Sequence, residues 1–171
     1  DIFLLECGFL AIIFSPSVLF LRLNTFVKLS GGMLFLLRWL LFRLMFFSGV
    51  TKLASGDSAW WDLTALSFHY ETQPLSTWTA WYAHQIPIWF HRFSTGAMFG
   101  IELIAPFLIF GPRRLRYIAF VLISSLMILI ALTGNYTYFN VLTLVLCVLL
   151  LDDGIIKKII PFQWWKKHNS L

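Results

Sequence analysis

One hydrophilic stretch, residues 52–85, interrupts an otherwise apolar chain. It holds Asp57, Asp62, His69, Glu71 and His84 among the aromatic residues Trp60, Trp61, Tyr70, Trp78, Trp81 and Tyr82. A histidine beside a carboxylate can pass protons at neutral pH, so His69 and Glu71, two positions apart, have the chemistry of an acid–base pair. The same residues also suit capping, hydrogen bonding and solvation of a loop. An isolated His-x-Glu arises readily by chance, so the structural role carries more weight. A metal site would need a third ligand, for which His84 is the candidate, but the spacing follows no zinc pattern. Neither a metal nor another cofactor is expected.

Three further charges, Arg38, Arg43 and Glu102, sit inside apolar runs. A charge in mid-membrane costs a few kcal/mol even on the mildest scale, so it must be paired or face a polar cavity. At about 1.5 Å of rise per residue, Arg38 and Arg43 lie roughly 8 and 15 Å above the start of their run, and Glu102 roughly 12 Å above the same side. These depths predict that Glu102 bridges one or both arginines as an interhelical ion pair. The polar turn 133–140, with Asn135, Tyr136 and Asn140, separates two apolar runs. Asn135-Tyr136-Thr137 matches a glycosylation sequon, but the turn lies too near the bilayer to be a good acceptor. Its asparagines are expected to satisfy backbone groups at helix ends. No phosphate-binding loop, dinucleotide fingerprint, nucleophile elbow or zinc-protease helix is present.

The elements that position these residues follow from composition. Hydrophobic residues make up 59% and charged residues 12% of the 171 residues. Soluble domains carry roughly 25% charge, so the chain reads as an all-α polytopic membrane helix bundle. A span needs about 20 mostly apolar residues, which gives five candidates: 2–21, with a kink near Pro16, then 33–50, 86–110, 117–133 and 138–151. Cys7 and Cys147 lie within apolar runs and predict neither a disulfide nor a metal site.

Nine of the 13 Lys and Arg residues fall in three connections: Arg22 and Lys28; Arg113, Arg114 and Arg116 in the turn GPRRLR; and Lys157, Lys158, Lys166 and Lys167 in the tail. All three share one side if five segments span, and the positive-inside rule makes that side cytoplasmic. The net charge of +5 is thereby assigned to membrane orientation, and no nucleic-acid partner is expected. The long stretch 52–85 then faces the exoplasm, and its aromatics predict a structured loop with short interfacial helices. Asp57 or Ser58 would cap the first of these and Ser76 or Thr77 the second. The tail 152–171, with Trp164 and Trp165 before two lysines, suits a headgroup layer. The start at Asp1, without an initiator Met, is expected of a piece of a longer protein.

Residues 43–153 carry RLMFFSGVTKLASGDSAWWDLTALSFHYETQPLSTWTAWYAHQIPIW, then IELIAPFLIFGPRRLR, then LTGNYTYFNVLTLVLCVLLLDD. Together with the opening DIFLLECGFLAIIFSPS, these residues resemble the lipase maturation factor family, a family with animal and prokaryotic members. The resemblance implies a membrane-embedded, chaperone-type factor that assists folding or assembly of secreted proteins such as lipases, and not a lipase itself. It implies the endoplasmic reticulum membrane for a eukaryotic chain and the cytoplasmic membrane for a bacterial one. The large C-terminal region that the family associates with its clients has no counterpart in these residues. The candidate contact surface is Asp57, Trp60, Trp61, His69, Tyr70, Glu71, Trp81 and His84. A second reading follows from the family's distant likeness to vitamin K-dependent carboxylase-like proteins, a membrane enzyme with Lys52, His69, Glu71 or His84 lining a cavity beneath the loop. A third is a transporter with Arg38, Arg43 and Glu102 along a water path.

Overall fold

In the computed structural model of the chain, residues 2–14, 31–73, 76–134, 136, 138–152 and 154–156 are described. Within them the chain is all-helical. The Pro16 kink, the rest of the first run, Arg22, Lys28, Asn135 and the tail beyond residue 156 lie outside the described residues.

The order is α1 (Ile2–Phe14), α2 (Gly31–Ala54), α3 (Ser58–Trp61), α4 (Ala65–Thr72), α5 (Trp78–His84), α6 (Ile88–Leu108), α7 (Arg113–Thr133) and α8 (Tyr138–Val148). Among the described residues, α2 and α7 are long and apolar enough to cross a membrane. Helix α6 equals α7 in length but carries His91, Arg92 and Glu102. Helix α7 starts earlier than its apolar run. Pro112 stands just before the helix, where its fixed φ and missing N–H are harmless, and so the three arginines form the first helical turn instead of a loop.

The core is a contiguous set of side chains from α1, α2, α6, α7, α8 and the residues just after α6 and α8, with Leu41, Met45, Ile109, Ile123 and Cys147 almost wholly buried. Aromatic contacts seal the α2–α6 seam, where Phe42 and Phe46 both meet the Phe107 ring edge-on at 5.2 and 5.5 Å between centroids. Gly49 lets the two helices approach closely, since a Cβ there would stand 2.7 Å from Leu103 Cδ2.

The hydrophilic stretch does not hang above the bundle. Proceeding from α2, Phe42 meets Phe107, Gly49 meets Leu103, Lys52 meets Glu102, Trp60 meets Phe99, Leu63 nears Gly96 and Tyr70 meets His91. The chain therefore climbs one flank of α6 from its C-terminal to its N-terminal end, and α3 and α4 continue the path of α2. Residues 60–70 do not form one continuous helix: α3 ends at Trp61 and α4 starts at Ala65, because Leu63 adopts φ 57°. That left-handed conformation is strained for a branched side chain and turns the chain so that Leu63 packs on the core.

Candidate functional site

Helix α2 runs four residues past its apolar segment and ends with Lys52 in its last turn. From there the ammonium reaches inward. Lys52 Nζ donates to Glu102 Oε1 at 2.5 Å and to Ser48 Oγ at 3.2 Å, and it lies 5.7 Å from the centre of the Trp60 ring. Glu102 is 2% exposed and the Lys52 side chain 23%. The buried Glu102 thus has a half-buried counter-ion and a hydroxyl donor, since Ser48 Oγ also donates to it at 3.3 Å. The pair ties α2 to α6 where the hydrophilic stretch begins.

The expected bridge from Glu102 to Arg38 and Arg43 is therefore corrected. Arg43 makes a forked contact with Glu6 of α1, at 3.2 and 3.3 Å. Arg38 donates to the Leu149 carbonyl at the end of α8, at 3.2 Å. The depth estimate failed because it counted Lys52 as loop and overlooked Glu6, an acid inside the first apolar run. The signal was present in both cases: each intramembrane charge needs a partner, and Glu6 and Lys52 were the unassigned ones.

His69 and Glu71 do not pair with each other either. They sit two positions apart on α4, and residues at that spacing do not share a helix face. Glu71 Oε1 instead accepts from His84 Nε2 of α5 at 2.9 Å. His69 stacks on Tyr136, with centroids 6.0 Å apart and planes 10° apart, and its Nε2 lies 3.4 Å from the Tyr136 hydroxyl. Burial, and secondarily the Lys52 charge, push the His69 pKa below its ordinary 6.5. Burial raises the Tyr70 and Tyr136 hydroxyls above their ordinary range. Tyr70 also packs against the buried His91 ring at 5.7 Å. His91 was missed in the sequence because an apolar run disguised it. Asn140 is buried in the first turn of α8.

Both expected caps form. The Asp57 carboxylate accepts from Ala59 N at 2.9 Å, and Thr77 Oγ1 accepts from Ala80 N at 3.3 Å. The stretch is then fastened to the C-terminal end of α7. Gln73 Nε2 donates to the Thr133 carbonyl at 2.9 Å, Thr77 Oγ1 donates to the Leu132 carbonyl at 3.1 Å, and Thr79 Oγ1 donates to the same carbonyl. Last-turn carbonyls have no partner within their own helix, so these contacts satisfy α7 and hold α4 and α5 in place together. Of the candidate surface, Trp60 packs inward on Phe99 while Asp57, Trp61, Glu71 and Trp81 are exposed. The arrangement is one of ion pairs, stacks and caps that shape a rigid aromatic surface. Among the described residues, no three His, Cys, Asp or Glu side chains converge as a metal-ligand group.

The model of the lipase maturation factor transmembrane domain family matches residues 1–158. The chain belongs to the lipase maturation factor family. It is 54% identical to lipase maturation factor 2 of Gallus gallus over 155 residues, which cover 90% of this chain and 22% of the relative. It is 50% identical to lipase maturation factor 2 of Homo sapiens over 166 residues, 90% of this chain and 23% of that one. Lipase maturation factor 1 of Mus musculus is 40% identical over 158 residues, 92% of this chain and 27% of that one. No solved structure matches the chain. The chain thus spans about a quarter of the length of these curated relatives. As a lipase maturation factor transmembrane domain with two helices among its described residues suited to crossing a bilayer, it is an integral membrane protein.

Proposed function

We propose that this domain is the membrane core of a maturation factor and that residues 52–85 form its contact surface for secreted client proteins, lipases among them. The observation that carries the reading is the exposure of Trp61 and Phe68 on α3 and α4, helices that the Trp60–Phe99 and Tyr70–His91 ring contacts hold against α6 and that Gln73, at the end of α4, ties to α7. Exposed aromatics on a fixed frame bind partners with little loss of side-chain freedom, and such residues dominate protein interfaces. The names of the relatives supply the client class: they are lipase maturation factors.

In this reading the chain is one membrane domain with five spans. The arginine-bearing start of α7 and the tail are cytoplasmic, and residues 52–85 are exoplasmic, facing the lumen of the endoplasmic reticulum. The test is recovery of a secreted lipase with the full-length protein, comparing wild type with Trp61→Ser and Phe68→Ser. Both changes fall on exposed side chains, so membrane levels stay constant and lipase recovery drops. Unchanged recovery in both variants removes the surface from that role.

A further inference from the structure

The exposed aromatics fall into two groups, and the second has a different geometry. Helix α5 turns Ala80 inward, fully buried, and Trp78, Trp81 and Tyr82 outward, with Trp78 80% exposed. Its sequence WTAWYAH has no Asp, Glu, Lys or Arg, unlike the outer face of a helix that meets water. The first turns of α6 continue the pattern with exposed Trp89 and Phe93.

The position of α5 is fixed by α7. Thr77 and Thr79 bond to the Leu132 carbonyl and Gln73 to that of Thr133, so α5 lies at the C-terminal end of α7. Helix α7 has 21 residues, roughly 30 Å of rise, which matches the hydrocarbon core of a bilayer. Its other end carries Arg113, Arg114 and Arg116. With those arginines at one water–lipid boundary, the opposite end of α7 arrives at the other boundary and brings α5 with it. Tryptophan and tyrosine are the side chains enriched at that level, because each has an apolar body and a polar edge.

We propose that α5 is an interfacial anchor whose partner is the phospholipid headgroup layer. Trp78, Trp81 and Tyr82 lie among the headgroups, and Trp89 and Phe93 reach the upper acyl chains. The anchor is continuous with the lipid-facing surface of α7 and leaves Trp61 and Phe68 for protein contact. It goes beyond the maturation reading and holds with or without a client.

The test uses full-length protein with single cysteines spin-labelled at position 78 or 81 and reconstituted in phosphatidylcholine vesicles. A label at Val121, exposed midway along α7, serves as the lipid reference, and the free label in buffer as the water reference. Collision with oxygen is compared with collision with a water-soluble nickel chelate. The expected result is an oxygen-to-nickel ratio at both positions shifted from the free-label value toward the Val121 value. Ratios equal to that of the free label place α5 in water and overturn the proposal. Labels shielded from both reagents place α5 under protein and also overturn it. No client is present in the assay, so its failure is distinct from that of the lipase recovery experiment.

Discussion

At the scale of single residues, the Lys52–Glu102 pair dominates, because one member is fully buried. Removing one charge from a buried pair strands the other and costs about 3–5 kcal/mol, whereas an apolar replacement of both is often neutral. Lys52→Met is therefore expected to lower the thermal unfolding temperature in detergent sharply, and the double variant Lys52→Met/Glu102→Leu to restore most of it. His69 is the second case. Its folded pKa lies below 6.5, so the folded state binds a proton less readily than the unfolded chain. The stability it contributes is complete above pH 6.5 and is lost as the pH falls below that value toward the folded pKa. Lys52 from α2, Tyr70 and Glu71 from α4, His84 from α5 and Tyr136 from the α7–α8 connection surround this region. His69→Gln is expected to flatten the fall in unfolding temperature between neutral and mildly acidic pH. The sequence singled out Glu102, His69, Glu71 and His84 but gave Glu102 and His69 the wrong partners and took Lys52 for loop, because pairing depends on which helix faces which, and side-chain types do not encode that.

At the scale of elements, the α2–α6 crossing rests on Gly49. A valine there must displace Leu103 and crowd Glu102 Cβ, which a Cβ would meet at 3.2 Å. Overpacking of this kind costs about 1–3 kcal/mol, so Gly49→Val is expected to lower the unfolding temperature in detergent while Gly8→Val, at a position with open space, does not. The α5 cap is a second test. Thr77→Ala removes both the cap to Ala80 and a bond to Leu132, and loss of an N-cap alone costs about 1 kcal/mol. Faster proteolysis between α4 and α5 is the expected outcome. The caps at Asp57 and Thr77 were legible from sequence because capping is local chemistry. The break at Leu63 was not. Nothing in Trp61-Asp62-Leu63-Thr64 signals a turn, and the left-handed residue is a leucine held there by its packing on the core.

At the scale of the whole molecule, the membrane class was readable from composition, since 12% charge cannot cover a water-facing surface, and the helical class from apolar runs of about 20 residues. The climb of α3 and α4 along α6 was not readable, because a hydrophilic stretch between apolar runs looks like a loop whether it is free or packed. Helix α7 organises the rest. At its N-terminal end Asp152 gathers Arg113 at 2.5 Å, Arg116 at 2.7 Å and the Tyr117 hydroxyl at 2.8 Å. The Tyr117 bond, then the arginines, hold the Asp152 carboxyl below its ordinary range. At its C-terminal end Gln73, Thr77 and Thr79 close the last carbonyls. A helix clasped at both ends is a ruler. It fixes roughly 30 Å between the arginines and the aromatic tier, and the bilayer must fit that gauge or the helix must tilt. In vesicles of phosphatidylcholines of graded acyl length, unfolding temperature is expected to peak near a hydrocarbon thickness of about 30 Å. It should fall in thicker bilayers, where tilting cannot lengthen the helix. Bilayer thickness itself would then sort this domain among the membranes of a cell, toward the thinner ones.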